Sequence, residues 1–418
     1  MSVPSAAIGP QQAPPVPVPV PPGLAILVLA LLLSIQPVTT DLYLPALPAL
    51  TRSLNAPVAA GQLTLSALLL AFGCSQLAWG PLSDRFGRRP VLLTGLAMYT
   101  LAAVGAALAP SMAVLIAWRT AQGVAMGAVV MCARAIVRDL YTPLAGARAM
   151  SKALTGLGLV ACLCAPLGGL LTEWFNWRAA LLALTGYAMG TLALVALRMP
   201  ETLHQRNPHA LRPAMLAGTA AQILRTPAFW AFSLLTTASY GGLFTFLAAS
   251  SFVYLDVLGI SRTQYGLALL STAVAYLLGT LLCRRLLARQ GLKRTVAIAA
   301  ALSASGGLLM LLAAALGWHS VAALLPPFYL YMVGHGIHQP CGQSGAVGPF
   351  PQAAGMASAL NGFMMMLAGF AIGQWLGGAL DGSVWPLVQG VALWSLLLAA
   401  IAWTLVQRHA PQEVAHAR

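Results

Sequence analysis

Long apolar runs follow one another along almost the whole sequence, and they restrict the fold more than any other feature. A run of about 20 apolar residues is long enough for an α-helix to cross a bilayer. Only 7% of the 418 residues are charged, whereas soluble proteins have roughly 25%. The sequence therefore predicts an all-α membrane protein with twelve transmembrane helices in two six-helix halves. The predicted spans are 24–48, 61–80, 90–109, 112–133, 149–171, 178–197, 227–255, 263–283, 294–315, 320–344, 352–379 and 385–406.

The distribution of basic residues tests this placement, because short loops rich in Lys and Arg stay in the cytoplasm. With both termini inside, 18 of the 22 Lys and Arg residues fall in cytoplasmic segments. Three of them, Arg52, Arg178 and Arg262, fall outside, and Arg119 lies within a span. We therefore expect both termini in the cytoplasm. The formal charge of +14 belongs to scattered loops, so no nucleic-acid partner is expected.

The domain organisation follows from the longest polar connector, residues 198–226, which comes after the sixth span. It predicts two halves, 23–197 and 227–407, joined by a cytoplasmic linker, an architecture that secondary transporters share. The Pro-rich segment 1–22 cannot be helical, since each Pro lacks an amide hydrogen. We expect it to be a disordered tail, with a second, short tail at 408–418.

A short basic hairpin, Gly80–Pro90, lies between the second and third spans and carries Asp84, Arg85, Arg88 and Arg89. Gly87 permits the turn. Asp84 can accept hydrogen bonds from the arginines or face the positive N-terminal end of another helix. A weaker copy without the acid follows the eighth span, at residues 279–294, which supports an internal repeat.

Several segments resemble those of a known family. Residues 80–89 resemble the motif between the second and third helices of the major facilitator superfamily. Residues 41–48, 137–141 and 345–359 resemble segments of its Bcr/CflA drug-efflux branch. The resemblance implies the major facilitator fold and a proton-coupled multidrug efflux transporter, a drug:proton antiporter of the inner membrane that works by alternating access.

An alternative function stays open, namely proton-coupled transport of a metabolite such as an amino acid or a sugar. An enzyme is not expected, because the spans lack a cluster of catalytic side chains. No phosphate-binding loop is visible, so ATP is not the expected energy source. The expected partners are a small-molecule drug, protons and the lipid bilayer, and we expect a monomer without cofactors.

Asp41 and Arg119 are the candidate proton-coupling residues. Asp41 is the one acid within a predicted span and away from a basic cluster, and such residues usually face a functional cavity. Alternatively, the first helix ends earlier and Asp41 caps it at the outer surface. Arg119, with Gln122 on the same helix face, resembles a fourth-helix motif whose Arg is implicated in proton coupling. The alternative is a fixed charge that holds the fourth helix to the first through groups such as Gln36.

Two further motifs follow from the resemblance. The hairpin is implied to gate the contact with the eleventh helix, which should start near Pro351; anchoring to lipid headgroups is the alternative. Its residues are Gly80, Asp84, Arg85, Gly87, Arg88 and Arg89. The fifth span resembles the antiporter motif, although Leu170 stands where the family has a second glycine. The motif residues, for which helix packing is the alternative, are Gly156, Pro166, Gly168 and Gly169.

Polar, aromatic and soft residues within the spans are candidates for the substrate pocket, with helix packing as the alternative for each. These are Gln36, Tyr43, Gln122, Tyr240, Phe244, Tyr331, His335, His338, Gln339, Asn361 and Met365. His335 and His338 share a helix face, but no third ligand is visible, so no metal site is predicted. The six cysteines should be buried, small apolar side chains without disulfides.

Overall fold

The computed structural model of the chain describes residues 20–141, 143–203, 206, 208 and 210–410. Most of the predicted N-terminal tail and all but the start of the C-terminal tail lie outside these residues. In the described residues the fold is built from α-helices and short turns of other helical types. The helices are α1 (Pro22–Thr40), α2 (Leu47–Ser53), α3 (Val58–Phe86), α4 (Arg88–Ala107), α5 (Met112–Leu140), α6 (Pro143–Trp174), α7 (Trp177–Arg198), α8 (Pro213–Leu224), α9 (Pro227–Phe252), α10 (Arg262–Ala315), α11 (Val321–Val347), α12 (Ala354–Ala379), α13 (Trp385–Trp403) and α14 (Leu405–His409).

The number of membrane crossings depends on α10, which has 54 residues. At 1.5 Å per residue it would run for about 80 Å, far beyond the thickness of a bilayer. Gly291, with φ 72° and ψ 179°, interrupts the helical conformation and divides α10 into two arms, 262–290 and 292–315. Ten helices of the described chain, with α10 counted once, are long and apolar enough to cross a membrane. The second arm of α10 and the 27-residue α11 add two more helices to these ten. The predicted number of twelve spans is confirmed.

The first predicted span, 24–48, is interrupted. Helix α1 ends at Thr40, and Asp41 is its C-terminal capping residue, whose backbone N–H donates to the Pro37 carbonyl at 2.8 Å. The chain then forms a 3₁₀ turn at Leu44–Ala46 before α2 begins. Proline has no amide hydrogen to continue the ladder, and Pro45 and Pro48 are the second residues of these two short elements. Asp41 therefore lies at the end of a helix. This agrees with the alternative in which the first helix ends earlier than predicted.

The two basic hairpins share one kind of turn. Gly87 joins α3 to α4 with φ 108° and ψ 156°, and Gly291 has the corresponding position between the arms of α10. Both glycines have the positive φ that residues with a Cβ rarely adopt. The exact limits of the two halves stay predictions.

Small residues bring the first six membrane helices against the last six. Helix α3 packs on α12, where a Cβ added to Gly73 would lie 2.7 Å from the Met366 Cβ. Helix α6 packs on the first arm of α10, where a Cβ on Gly266 would lie 2.7 Å from the Pro166 Cα. Without a hydrophobic driving force inside lipid, such close van der Waals contacts hold membrane helices together.

Helices α3 and α5 are equally close within the first half. A Cβ on Gly123 would lie 2.2 Å from the Leu68 carbonyl oxygen, and one on Gly127 would lie 2.1 Å from the Ser75 Oγ. The Trp79 indole N–H donates to the Val124 carbonyl at 2.8 Å. Gly123 and Gly127 therefore serve as close contact points between these two helices.

We expect Gly123→Ala to destabilise the protein by about 1–3 kcal/mol, because the added methyl group must push α5 away from the backbone of α3. The measurement is the melting temperature of the purified protein in detergent. Gly186→Ala is the matched control, since a Cβ added at this position of α7 would have no atom within 4 Å. Equal melting temperatures for both variants would contradict the packing argument.

Candidate functional site

The basic hairpin is organised around the buried guanidinium of Arg88. Its Nη1 lies 2.6 Å from the Asp84 Oδ1 and donates to the Ser83 Oγ at 2.6 Å. Its Nε donates to the Asp139 Oδ2 at 2.9 Å. A buried cation needs such charge-assisted partners. Arg88 thus joins the end of α3 to the end of α5, and the latter carries one of the segments that resembled the Bcr/CflA branch.

Glu201 belongs to the predicted linker, but in the structure it contacts the basic hairpin. Its carboxylate accepts from the backbone N–H of Arg88 at 2.9 Å and of Arg89 at 3.2 Å. These are free amides at the start of α4, where a negative charge also meets the positive end of the helix dipole. Glu201 caps α4 from more than 100 residues away in sequence. In the sequence, the one sign of this contact was an acidic residue shortly after the sixth predicted span.

Two arginines of the hairpin have separate roles in packing. Arg89 donates to the carbonyl oxygens of Met199 and Ala196 at 2.8 and 2.9 Å, near the C-terminal end of α7. The guanidinium of Arg85 lies 5.5 Å from the centroid of the Phe86 ring. The hairpin is thereby tied to α7 as well as to α3 and α5.

A cavity of about 590 Å³ opens on the membrane face that carries the hairpin, here called the hairpin side. Asp84 and Arg88 line it from one half, and the start of α12 lines it from the other. A 3₁₀ turn at Pro351–Ala353 precedes α12, close to the predicted start at Pro351. Asp84 pairs with Arg88 and shares this cavity with α12. The gating role of the hairpin stays a prediction.

Helix α8 borders the same cavity through Met215, Leu216 and Thr219. The sequence pattern indicated a polar connector over residues 198–226 and did not predict this helix. Across the cavity, Arg134 of α5 donates to the Ser358 Oγ of α12 at 3.1 Å. This hydrogen bond joins the two halves on the hairpin side.

Arg119 lies fully buried in α5 and makes no ion pair in the described chain. Its Nη1 donates to the Gln122 Oε1 at 2.8 Å and its Nη2 to the Thr39 carbonyl at 3.1 Å. Its guanidinium carbon lies 4.3 Å from the centroid of the Tyr43 ring, a cation–π contact. Gln122 lies on the same helix face as Arg119, as its spacing predicted, and the structure adds the hydrogen bond between them. The link to the first helix runs through Thr39 and Tyr43 rather than through Gln36.

Asp41 faces a different direction from Arg119. Its carboxylate accepts from the Thr40 hydroxyl at 2.7 Å. It lines a cavity of about 180 Å³ between the halves, together with Tyr276 and His335. Within the described residues no ion pair joins Asp41 to Arg119 or to any other cation. Arg119 bonds to the backbone two residues before Asp41, but the two predicted coupling residues are not in contact. Their roles stay predictions.

All eleven predicted pocket residues lie in the described chain, and His335 is the one that lines the cavity with Asp41. Tyr43 bonds to the Thr64 hydroxyl at 2.7 Å inside the first half. In the second half, Tyr331 donates to the Ser239 carbonyl at 2.7 Å. Other members of the set connect helices or pack between them.

Those other members make the following contacts. Gln339 donates to the Thr236 carbonyl at 3.3 Å, and Asn361 accepts from the Thr236 hydroxyl at 2.8 Å. Tyr240 and Phe244 stack with ring centroids 6.0 Å apart. Met365 and His338 are buried, and Gln36 is half-buried. Their roles as substrate contacts stay predictions.

The residues of the antiporter motif make packing contacts. A Cβ on Gly156 would lie 2.8 Å from the Ala30 Cβ of α1, and one on Gly168 would lie 2.0 Å from the Leu42 carbonyl oxygen. A Cβ on Gly169 would lie 2.6 Å from the Arg262 carbonyl oxygen at the start of α10. Helix α6 therefore packs tightly against segments of both halves, which agrees with the alternative that these residues serve helix packing. A role in the direction of transport stays a prediction.

The opposite face, here called the far side, is bridged between the halves. Arg52 of α2 forms an ion pair of 2.7 Å with Asp256, which lies in a π-helical turn at Val253–Val257. The Glu173 carboxylate accepts from the backbone N–H and the hydroxyl of Thr263 at 3.0 and 2.7 Å. Polar contacts thus bridge the two halves on the far side.

The cysteines are free thiols. Cys283 and Cys341 approach each other to 3.7 Å between their sulfurs. Cys74 is exposed rather than buried, because it lies on the outer surface of α3. In the described part of the chain no three His, Cys, Asp or Glu side chains come together as a metal site would need.

Comparison with known proteins identifies the family. Residues 29–373 match the profile of the Major Facilitator Superfamily. The chain is 35% identical to Multidrug resistance protein D of Escherichia coli (strain K12), over 80% of this chain and 83% of that protein. It is 30% identical to Chloramphenicol resistance protein of Pseudomonas aeruginosa, over 88% and 82%. The Bicyclomycin resistance protein homolog of Haemophilus influenzae is 28% identical, over 83% and 87%.

The chain belongs to the major facilitator superfamily, and the resemblance to its Bcr/CflA branch is confirmed. Solved structures share the fold. One is a D-xylose-proton symporter, with TM-score 0.68, 18% identity and coverage of 90% of this chain and 96% of that one. Another is a bacterial homolog of the human lysosomal transporter Spinster, inward-facing and occupied, with TM-score 0.69, 15% identity and coverage of 93% and 97%. The protein is a multi-pass membrane transporter and not an enzyme.

We expect Glu201→Ala to lower the stability of the protein by about 1 kcal/mol, because two amides at the start of α4 lose their acceptor. The measurement is again the melting temperature in detergent. Glu201→Gln keeps one acceptor oxygen without the charge and should fall between the wild type and Glu201→Ala. A wild-type melting temperature for Glu201→Ala would contradict the capping role.

Proposed function

We propose that the protein is a drug:proton antiporter of the inner membrane, which exports small amphipathic compounds by alternating access. The observation that carries this proposal is the Asp41 carboxyl, which lines a cavity between the halves and has no basic partner in the described chain. The names of the relatives, which refer to multidrug, chloramphenicol and bicyclomycin resistance, support drugs as the substrates.

The cavity around Asp41 makes a competition between proton and substrate physically reasonable. Its walls are mostly apolar, from side chains such as Leu243, Leu247 and Met332. An unpaired carboxylate is costly in such surroundings. Either a proton or a polar substrate group removes that cost. Because one carboxyl serves both, substrate binding and proton binding exclude each other, as antiport requires.

Arg119 is proposed to modulate Asp41 through the end of α1 rather than by direct pairing. Its guanidinium holds the Thr39 carbonyl, and Thr40 holds the Asp41 carboxylate. A change of charge at Asp41 therefore acts on the same helix end that Arg119 holds. Tyr43, packed on Arg119, follows two residues later.

The two faces of the molecule support alternating access. The hairpin side, which we propose faces the cytoplasm because of its basic loops, has the open cavity of about 590 Å³. The far side is closed by the Arg52–Asp256 and Glu173–Thr263 contacts. We propose that export breaks these contacts and closes the hairpin side, where Asp84 and α12 line the same space.

We expect Asp41→Asn to abolish proton-driven export, because an amide side chain does not bind and release a proton near neutral pH. Transport is measured in proteoliposomes for a panel of drugs and metabolites, with and without a proton gradient. Asp381→Asn is the control, since that acid lies in a loop and bonds to Ser383. Gradient-dependent export by Asp41→Asn would contradict the proposal, and transport of metabolites only would favour the alternative function.

We expect Arg52→Asp to open the far side. An exposed ion pair contributes up to about 1 kcal/mol, which corresponds to a roughly fivefold change in population. Distances between spin labels on α2 and on the start of α10 report the far-side opening. The double exchange Arg52→Asp with Asp256→Arg should restore the wild-type distances, and a failure to do so would contradict the role of the pair.

A further inference from the structure

The orientation of the His335 ring is set by hydrogen bonds on one side. Its Nδ1 lies 3.1 Å from the Ser239 carbonyl oxygen and 2.8 Å from the Ser239 hydroxyl. A carbonyl oxygen can only accept, so a hydrogen on Nδ1 satisfies this contact. The neutral ring then carries a lone pair on Nε2. Nε2 has no protein partner in the described chain.

Packing keeps the ring in this orientation. His335 is 4% exposed, and the Tyr276 ring lies against it with 5.6 Å between centroids. The Ser239 carbonyl is held in turn by the Tyr331 hydroxyl. The ring lines the Asp41 cavity, so its unpaired Nε2 is the nitrogen available to that space.

Few other polar groups are available in the cavity. The Thr272 hydroxyl already donates to the Leu269 carbonyl at 2.7 Å. The Tyr276 hydroxyl has no hydrogen bond in the described chain. The remaining lining is apolar and consists of Ala161, Ala165, Leu243, Leu247, Leu269, Ala273 and Met332. Asp41 and His335 are thus two acceptors in an apolar space, contributed by α1 and α11, one from each half.

We propose that Asp41 and His335 form a two-point acceptor for the polar end of the substrate, and this inference rests on the proposed function. The matching substrate class is a compound with an apolar body and two neighbouring hydrogen-bond donors, such as hydroxyl, amide N–H or protonated amine. One donor binds the Asp41 carboxyl and the other binds the His335 Nε2. An analogue with a blocked donor leaves a buried acceptor unpaired, which is how a site rejects a close relative of its ligand.

The size of the cavity fits this assignment. Pockets that enclose a drug-sized ligand measure about 300–1,000 Å³, and this cavity measures about 180 Å³. It holds one polar end while the apolar body extends between the halves. A substrate bound to both acceptors also bridges α1 and α11, so its binding and release are tied to the movement of the halves.

A histidine outside the cavity offers a control. His319 lies just before α11, where its Nε2 is 3.1 Å from the Ala314 carbonyl oxygen, and it does not line the cavity. The titratable groups that face His335 are Asp41 across the cavity, Tyr276 from α10, and Tyr331 and His338 from its own helix. Of these, Asp41 is the one carboxyl.

The test compares binding of chloramphenicol, which has two hydroxyls and an amide N–H, with binding of its di-O-acetyl ester, which lacks the hydroxyl donors. Affinities are measured by equilibrium dialysis on the purified full-length protein. We expect the wild type to prefer chloramphenicol about tenfold or more, and His319→Asn to keep that preference. His335→Asn retains a donor toward Ser239 but removes the Nε2 acceptor, so its preference should fall severalfold.

His335→Gln supplies the rescue, because its amide oxygen reaches the position of Nε2. It should keep most of the wild-type preference. Unchanged preference in His335→Asn, or equal wild-type affinities for both probes, would overturn the inference. If His335→Asn does not fold, loss of preference in a folded His335→Gln would overturn it. Export of chloramphenicol from proteoliposomes is measured separately, so that its absence counts against the proposed function while the binding preference still tests His335.

Discussion

A charged side chain inside a bilayer needs a partner, and this constraint divides the buried charges of the protein into three kinds. Arg88 has two carboxylates, Asp84 and Asp139, and is a fixed structural element. Arg119 has no carboxylate but is held by Gln122, a carbonyl and an aromatic face. Asp41 has only a neighbouring hydroxyl. Of these three groups, Asp41 has the fewest partners, and its charge is the one that we propose a ligand or a proton changes.

Close helix packing allows these groups to keep their positions while the halves move. Gly123 of α5 and Gly168 of α6 bring backbone against backbone within the first half, so this half is rigid around its own charges. The contacts between the halves on the two faces are of another type. They are ion pairs and single hydrogen bonds, such as Arg52–Asp256 and Arg134–Ser358. Such contacts are weak when exposed, and they can be broken and remade in a transport cycle.

The hairpin, the densest group of charges in the sequence, is the best satisfied in the structure. Arg88, Arg89 and Glu201 use their charges on the protein itself. The sparsely charged centre of the bundle has Asp41 and His335 with unused bonding capacity. Charge density in the sequence therefore marks the turn of the chain, while the chemistry that we propose lies where charges are few.

Much of the fold could be predicted from the sequence by itself, because an apolar run of about 20 residues is sufficient to indicate a membrane-spanning helix. The twelve spans, the glycine turn of the hairpin and the pairing of Arg119 with Gln122 depend on neighbours within one or two helical turns. The break after Thr40 was visible only as prolines. Contacts between residues far apart in the chain were decided by the tertiary structure. Only the packing of helices placed Glu201 on α4, separated Asp41 from Arg119 and placed His335 in the same cavity as Asp41, since no local pattern encodes which helices become neighbours.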